Sequence, residues 1–153
     1  MAVRTASARW HGALQDGSGT MAFGGGAFEG QFSYASRFEE GAGTNPEELI
    51  GAAHAGCFSM AFANTLATSG HDPQRVETTA RVHLDPGDDG PSITRIELQT
   101  EAEVAGIEPG ELRQLAETAK ENCPVSKALA GVDISLDATF SGVRGSPEPE
   151  ARS

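Results

Sequence analysis

The sequence predicts an α+β domain with antiparallel sheets, and three observations carry that expectation. Residues 76–84 and 96–104 alternate apolar with polar side chains, as strands with one wet face do. The segments opening at Asn45 and at "IEPGELRQLAETAKEN" instead repeat apolar residues every three to four positions, the helical period. The elements follow in the order βββ, α, ββ, α, β, with strands and helices in runs.

Taken in order, the first forty residues read as short strands broken by glycine, around Arg4 to Trp10, Thr20 to Phe23 and Phe28 to Phe38. The segment "GGGAFEG" at 24–30 lacks the third glycine of GxGxxG and the lysine of a P-loop, so it reads as a turn. The first helix has Asn45 as N-cap and Pro46 at its first position. Glu47 and Glu48 face the positive end of its dipole. Its apolar stripe reads Ile50, Ala53, Cys57 and Met60 or Ala61, and Gly70 and Pro73 end it. That places Cys57 on or beside the buried face. In the hairpin that follows, Val76, Thr78, Ala80, Val82 and Leu84 share one side. Ile96, Leu98, Thr100, Ala102 and Val104 face inward beyond the turn "DPGDDGP".

The second helix groups Leu112, Leu115 and Ala119, and Pro124 interrupts it because proline has no amide to donate. A restart makes Pro124 the first residue of a short helix and Cys123 its N-cap. Val132, Ile134, Leu136, Ala138 and Phe140 form the inward face of a last strand. From Gly142 on, "GVRGSPEPEARS" is rich in proline, glycine and charge and reads as a disordered tail, leaving 1–141 as one domain.

A chain of 153 residues has the length of one domain with its own core. Its 38% hydrophobic content is low for a globular chain, a thin core that a partner subunit could complete. The net charge of −11 argues against nucleic acid and anionic membrane surfaces, which need a basic face. No uninterrupted run of about 18 apolar residues predicts a membrane span, and "MAVRTASARWHG" has no apolar core of a secretory signal. The expectation is a soluble, cytoplasmic protein. There, two cysteines do not form a lasting structural disulfide, although a transient catalytic one is open to them. Two are too few for a cysteine-only zinc site.

A reactive cysteine must be a thiolate, and burial raises a thiol's pKa. Cys57 therefore needs a cation from outside its helix, since residues 45–69 contain no lysine or arginine. His54, three positions earlier, neighbours Cys57 on the helix surface, so a Cys–His pair is one option. A zinc site from His54, Cys57 and Cys123 is another. Arg37, in "YASRFEEGAGTNPEEL", is the better cation, because it stays charged and offers several donors, with Glu47 or Glu48 to hold it. Glu47 lies about 15 Å from Cys57 along an unbroken helix, so Arg37 bridging the two is the economical picture. At a helix N-cap, Cys123 would meet free amides that lower its pKa, unless it is only a small hydrophobe before a kink.

"TNPEELIGAAHAGCFSMAFA", with "NCPVSKAL" around the second cysteine, resembles the OsmC branch of the OsmC/Ohr family of hydroperoxide-reducing thiol peroxidases. "RFEEGAGTNPEEL" and the W-x-G opening at Trp10 and Gly12 fit the same branch, and the similarity covers residues 5 to 140. The resemblance implies Cys57 as peroxidatic thiol, Cys123 as resolving thiol, Arg37 activating Cys57, and Glu47 orienting Arg37. It implies an OsmC-like intertwined homodimer whose sheets wrap around central helices, with active sites at the subunit interface. It further implies an organic hydroperoxide as substrate, an external dithiol reductant of lipoyl type or a small thiol, and no cofactor. Phe58, Met60 and Phe38 are the residues expected to give the thiol an apolar surround that favours organic peroxides. Two other classes stay open on the residues alone. One is a non-enzymatic stress-associated binding protein of the same fold with inert buried cysteines, and the other is a zinc protein using His54.

Overall fold

The computed structural model describes residues 1–141, so the tail expected from Gly142 lies outside the described residues. The chain forms two compact units, Met1–Ile50 and the remainder from Gly51.

In the first unit, β1 (Ala6–His11), β2 (Ser18–Phe23) and β3 (Phe28–Phe32) form an antiparallel sheet in that order. Gly19 lets Trp10 and Phe32 meet across β2, with ring centroids 5.2 Å apart. A Cβ at Gly19 would stand 2.6 Å from the Trp10 ring and 2.7 Å from that of Phe32. The turn between β2 and β3 passes through Gly25 at φ +64, the left-handed region that glycine enters without strain.

The third strand ends earlier than the sequence predicts. Ser33 and Ser36 hydrogen-bond reciprocally, the Ser36 amide to Ser33 Oγ at 3.1 Å and the Ser33 amide to Ser36 Oγ at 2.8 Å. That capping box starts a short helix, α1 (Tyr34–Phe38), and puts Arg37 in a helical last turn instead of at a strand end.

Helix α2 (Pro46–Thr68) opens as expected, with Asn45 Oδ1 accepting the Glu48 amide at 2.8 Å. Its buried face is different from the expected stripe. Gly51, His54, Phe58, Phe62 and Leu66 are buried, Cys57 is half-buried, and Ala53 and Met60 are exposed, Met60 at 77%. By length and composition α2 is apolar enough to cross a membrane, although no uninterrupted apolar run marks it in the sequence. Half-buried Ser59 links it to the strands that follow. Ser59 Oγ meets Thr78 Oγ1 at 2.7 Å, and Thr78 meets Thr100 at 2.9 Å.

The second unit's sheet comprises β4 (Pro73–Asp85), β5 (Ser92–Val104) and β6 (Asp133–Phe140). The β4–β5 hairpin is antiparallel, with Thr78 opposite Thr100 and Val82 opposite Ile96, as the alternation requires. The expectation of purely antiparallel sheets fails at β6, which runs parallel to β5. Helices α3 (Pro109–Asn122) and α4 (Pro124–Ala128) carry the chain back across the sheet between them, so β6 enters from the same end. Ile96, Leu98, Ala102 and Val104 are buried, as are Leu112, Ala116 and Ala119 of α3. Gly51 allows α2 to lie close on β4, where a Cβ would come 3.3 Å from Val82 Cγ2.

Candidate active site

The two cysteines meet in the second unit. Cys57 sits midway along α2. Cys123 is fully buried at the α3–α4 junction, where its extended backbone (φ −65, ψ 122) separates the two helices. Pro124 produces that break and starts α4, so Cys123 becomes the N-cap that the sequence predicts. The sulfurs are 3.0 Å apart and both thiols are free. A disulfide bond is about 2.05 Å long, so an approach of about 1 Å joins them.

A second contact runs beside the first. His54, one turn before Cys57, places Nε2 at 2.7 Å from the hydroxyl of Ser126, one turn after Cys123. His54 and Ser126 are both buried, and His54 Nδ1 has no hydrogen-bond partner among the described residues. Burial lowers the His54 pKa and so favours the neutral imidazole. The imidazole therefore faces Ser126, and the Cys–His pair considered from the sequence does not form. Nor do the described residues gather three metal-ligating side chains in one place.

Burial pushes the Cys57 thiol above its ordinary pKa. The hydrogen bond to Cys123 adds to that rise, and only the Val125 amide opposes it. Burial pushes Cys123 upward too, but more donors oppose it there. The Cys57 thiol, the amide and hydroxyl of Ser126 and the amide of Val125 together leave Cys123 below its ordinary value. This lowering of Cys123 is in the direction that its N-cap position predicts.

In the first unit, Arg37 and Glu47 form a bidentate pair, Nε to Oε1 at 3.1 Å and Nη2 to Oε2 at 2.7 Å. Glu47 is buried, while about a third of the Arg37 side chain is exposed. Of the two glutamates that the sequence offered, Glu48 is otherwise engaged, accepting from Thr44 Oγ1 at 2.9 Å. The Arg37 guanidinium also lies 5.3 Å from the centroid of the Phe38 ring. Of the four predicted site residues the structure thus forms two pairs, Arg37 with Glu47 and Cys57 with Cys123.

Of the three residues expected to give the thiol an apolar surround, Phe58 and Met60 lie in the second unit. Phe58 is fully buried against Phe62, with centroids 5.5 Å apart, so it offers no surface to a substrate, and Met60 points outward. Sequence reasoning missed Ser126. Its signal was a hydroxyl three residues after a predicted N-cap, where the first helical turn brings the two side chains together.

An α+β fold holding two free thiols in hydrogen-bond contact defines a dithiol protein. The chain belongs to the OsmC family, described as OsmC-like protein, which matches residues 39–137. It is 44% identical over 131 residues to the peroxiredoxin OsmC of Escherichia coli (strain K12), covering 85% of this chain and 91% of that protein. It is 36% identical over 97 residues to the organic hydroperoxide resistance protein OhrA of Bacillus subtilis (strain 168), covering 61% of this chain and 66% of that protein. Among solved structures, an organic hydroperoxide resistance protein OsmC from Legionella pneumophila superimposes with a TM-score of 0.67 at 25% identity. That match covers 92% of this chain and 99% of the other. OhrB of Bacillus subtilis shares the fold with a TM-score of 0.68 at 24% identity, covering 90% and 99%.

Proposed function

We propose that this cysteine-based peroxidase reduces organic hydroperoxides to alcohols, with Cys57 as the peroxidatic thiol and Cys123 as the resolving thiol. The observation that carries the reading is the 3.0 Å separation of two free sulfurs. Access decides which is which. Cys123 is fully enclosed, whereas Cys57 is half-buried and can meet a substrate.

The Cys57 thiolate attacks the terminal oxygen of ROOH, the O–O bond breaks, and the alkoxide leaves with a proton as ROH. Cys57 is then a sulfenic acid. Cys123 attacks that sulfur, the S–S bond forms, and hydroxide leaves as water with the Cys123 proton. An external dithiol, of lipoyl type or a small thiol, restores both thiols by exchange. Sulfur carries both electrons throughout, so the cycle calls for no cofactor.

Because burial raises the Cys57 pKa, the nucleophile needs a cation, and Arg37 fixed by Glu47 is the group we assign to that role. A homodimer fits the exposed side of α2, where Ala53 and Met60 lie. A reducing cytoplasm suits a dithiol that must be regenerated after each turnover.

The test is to add an equimolar amount of cumene hydroperoxide to the reduced protein. Both thiols should disappear and the mass should fall by that of two hydrogens. An unchanged thiol titre would overturn the reading in favour of a binding protein with inert cysteines. Cys57→Ser should abolish the reaction, whereas Cys123→Ser should react once and stop, leaving Cys57 open to over-oxidation. The opposite pattern would exchange the two roles.

A further inference from the structure

The geometry points to His54 and Ser126 as positioning residues for the resolving thiol. The neutral imidazole holds the Ser126 hydroxyl against the Cys123 sulfur, ready to stabilise the charge that develops when Cys123 attacks oxidised Cys57. The inference rests on the peroxidase reading for its chemical purpose, but the contact itself does not depend on that reading.

Helices α2 and α4 are joined by two parallel rungs. One is Cys57 to Cys123 at 3.0 Å, the other His54 to Ser126 at 2.7 Å. On each helix the two members are three residues apart, hence on the same face. Ser126 stands at the third position of α4 and Cys123 at its N-cap, and the backbone bond from the Lys127 amide to the Cys123 carbonyl at 3.0 Å closes that turn. That turn sets the Ser126 side chain beside that of Cys123, the relation of a third helical residue to its N-cap, from which the hydroxyl can turn its hydrogen towards the sulfur.

Which ring nitrogen carries the proton follows from what each alternative strands. With the proton on Nδ1, an N–H would be buried without an acceptor, and the Ser126 hydrogen would be spent on Nε2. With the proton on Nε2, the imidazole donates to Ser126 Oγ and the hydroxyl hydrogen is free for sulfur. Only a lone pair on Nδ1 then goes without a partner. Orphaned buried N–H groups are the rarer defect, so the second arrangement is favoured. It also gives a reason for a histidine at a fully enclosed position of an apolar helix, where a leucine would fill the space.

During resolution the Cys123–Cys57 bond forms and the Cys57 S–O bond breaks. Cys123 is oxidised, the sulfenic sulfur is reduced, and the thiol proton leaves with hydroxide as water. Ser126 and His54 supply hydrogen bonds and end the step with the protons they began with.

Two measurements test this. In the full-length Cys57→Ser protein, ultraviolet titration of the remaining thiol at Cys123 needs no peroxide. Adding Ser126→Ala should lower the thiolate fraction at a given pH about tenfold, a rise of about one pKa unit. His54→Leu should act similarly, and His54→Gln, whose amide N–H can still reach Ser126, should restore most of the parent value. In the protein with both cysteines, Ser126→Ala should slow disulfide formation about tenfold relative to sulfenic acid formation, raising the fraction of sulfinic Cys57 seen by mass spectrometry. Unchanged Cys123 titration in Ser126→Ala, or equal behaviour of His54→Leu and His54→Gln, would overturn the proposal. Ser126→Ala removes a single oxygen and keeps the test decisive where His54→Leu fails to fold. If peroxide leaves the parent thiols untouched while the titration still shifts, the peroxidase reading fails and the His54–Ser126–Cys123 link stands.

Discussion

Arg37→Ala removes both hydrogen bonds from a carboxylate that is buried in the first unit. An exposed ion pair contributes at most about 1 kcal/mol, whereas stranding one partner of a fully buried pair costs about 3–5 kcal/mol. Here Glu47 has 9% of its side chain exposed and Arg37 has 35%, so the pair sits between these limits. The bidentate geometry favours the upper part of the range and the solvent at Arg37 discounts it, giving a loss of about 2 kcal/mol. Urea unfolding should show it as a lower midpoint at unchanged slope. Protein concentration must be held fixed, because association of copies would shift the midpoint by mass action. A double-mutant cycle with Glu47→Ala should return a coupling of about 1–2 kcal/mol, since the second substitution removes the carboxylate that the first leaves unpaired. A loss under about 0.5 kcal/mol with no coupling would show that the pair is an incidental surface contact. The same variant tests the proposed activation of Cys57. Its pKa should rise on losing Arg37, and a Cys57 that titrates identically in parent and variant would leave Arg37 a purely structural residue.

Two further outcomes follow from the second unit. Phe62→Ala leaves a cavity beside Phe58 and should lower unfolding free energy by about 3–5 kcal/mol in the same assay, with a loss below about 1 kcal/mol refuting its place in the core. Buried His54 has a pKa below its ordinary 6.5, so the unfolded chain takes up a proton there that the folded chain refuses. Stability contributed by His54 is therefore intact above about pH 6.5 and falls, by up to about 1.4 kcal/mol per pH unit, on acidification towards the folded-state pKa. Midpoints compared at about pH 7.5 and 5.5 should fall less for His54→Gln than for the parent, and equal falls would contradict the burial argument.

How much of this was legible depended on how strongly local pattern dictates structure. The β4–β5 hairpin was plain because every second residue faces a core, and a register slip would expose all of them. Asn45 and Pro46 were legible because a helix start needs specific chemistry. The boundary at Ser33 was not, because "FSYASRF" reads as an extended alternation until the Ser33–Ser36 pair is weighed as a capping box. The direction of β6 had a signal that went unused. A connection with helices between neighbouring strands is the crossover that parallel pairing requires. In α2 the pattern itself was weak, because small apolar residues surround the helix and no single stripe stands out. The expected face therefore took in Ala53 and Met60 and passed over His54, whose burial depends on a hydroxyl 72 residues away. The cysteines, Arg37 and Glu47 were found from residue type and motif. Their pairing was a matter of tertiary contact, which periodicity does not encode.

The raised proton affinity of the Cys57 thiol sets the terms for any chemistry the pair performs. Burial holds the Cys57 thiol above its ordinary pKa, so the sulfur that solvent can reach resists ionising. Each unit by which a cation must lower that pKa requires about 1.4 kcal/mol of differential stabilisation. A carboxylate-anchored guanidinium can supply this without titrating itself, because arginine keeps its charge throughout the working pH range. In the proposed cycle, once Cys57 is oxidised, the Cys123 sulfur starts within about 1 Å of bonding distance, so disulfide formation needs little reorganisation.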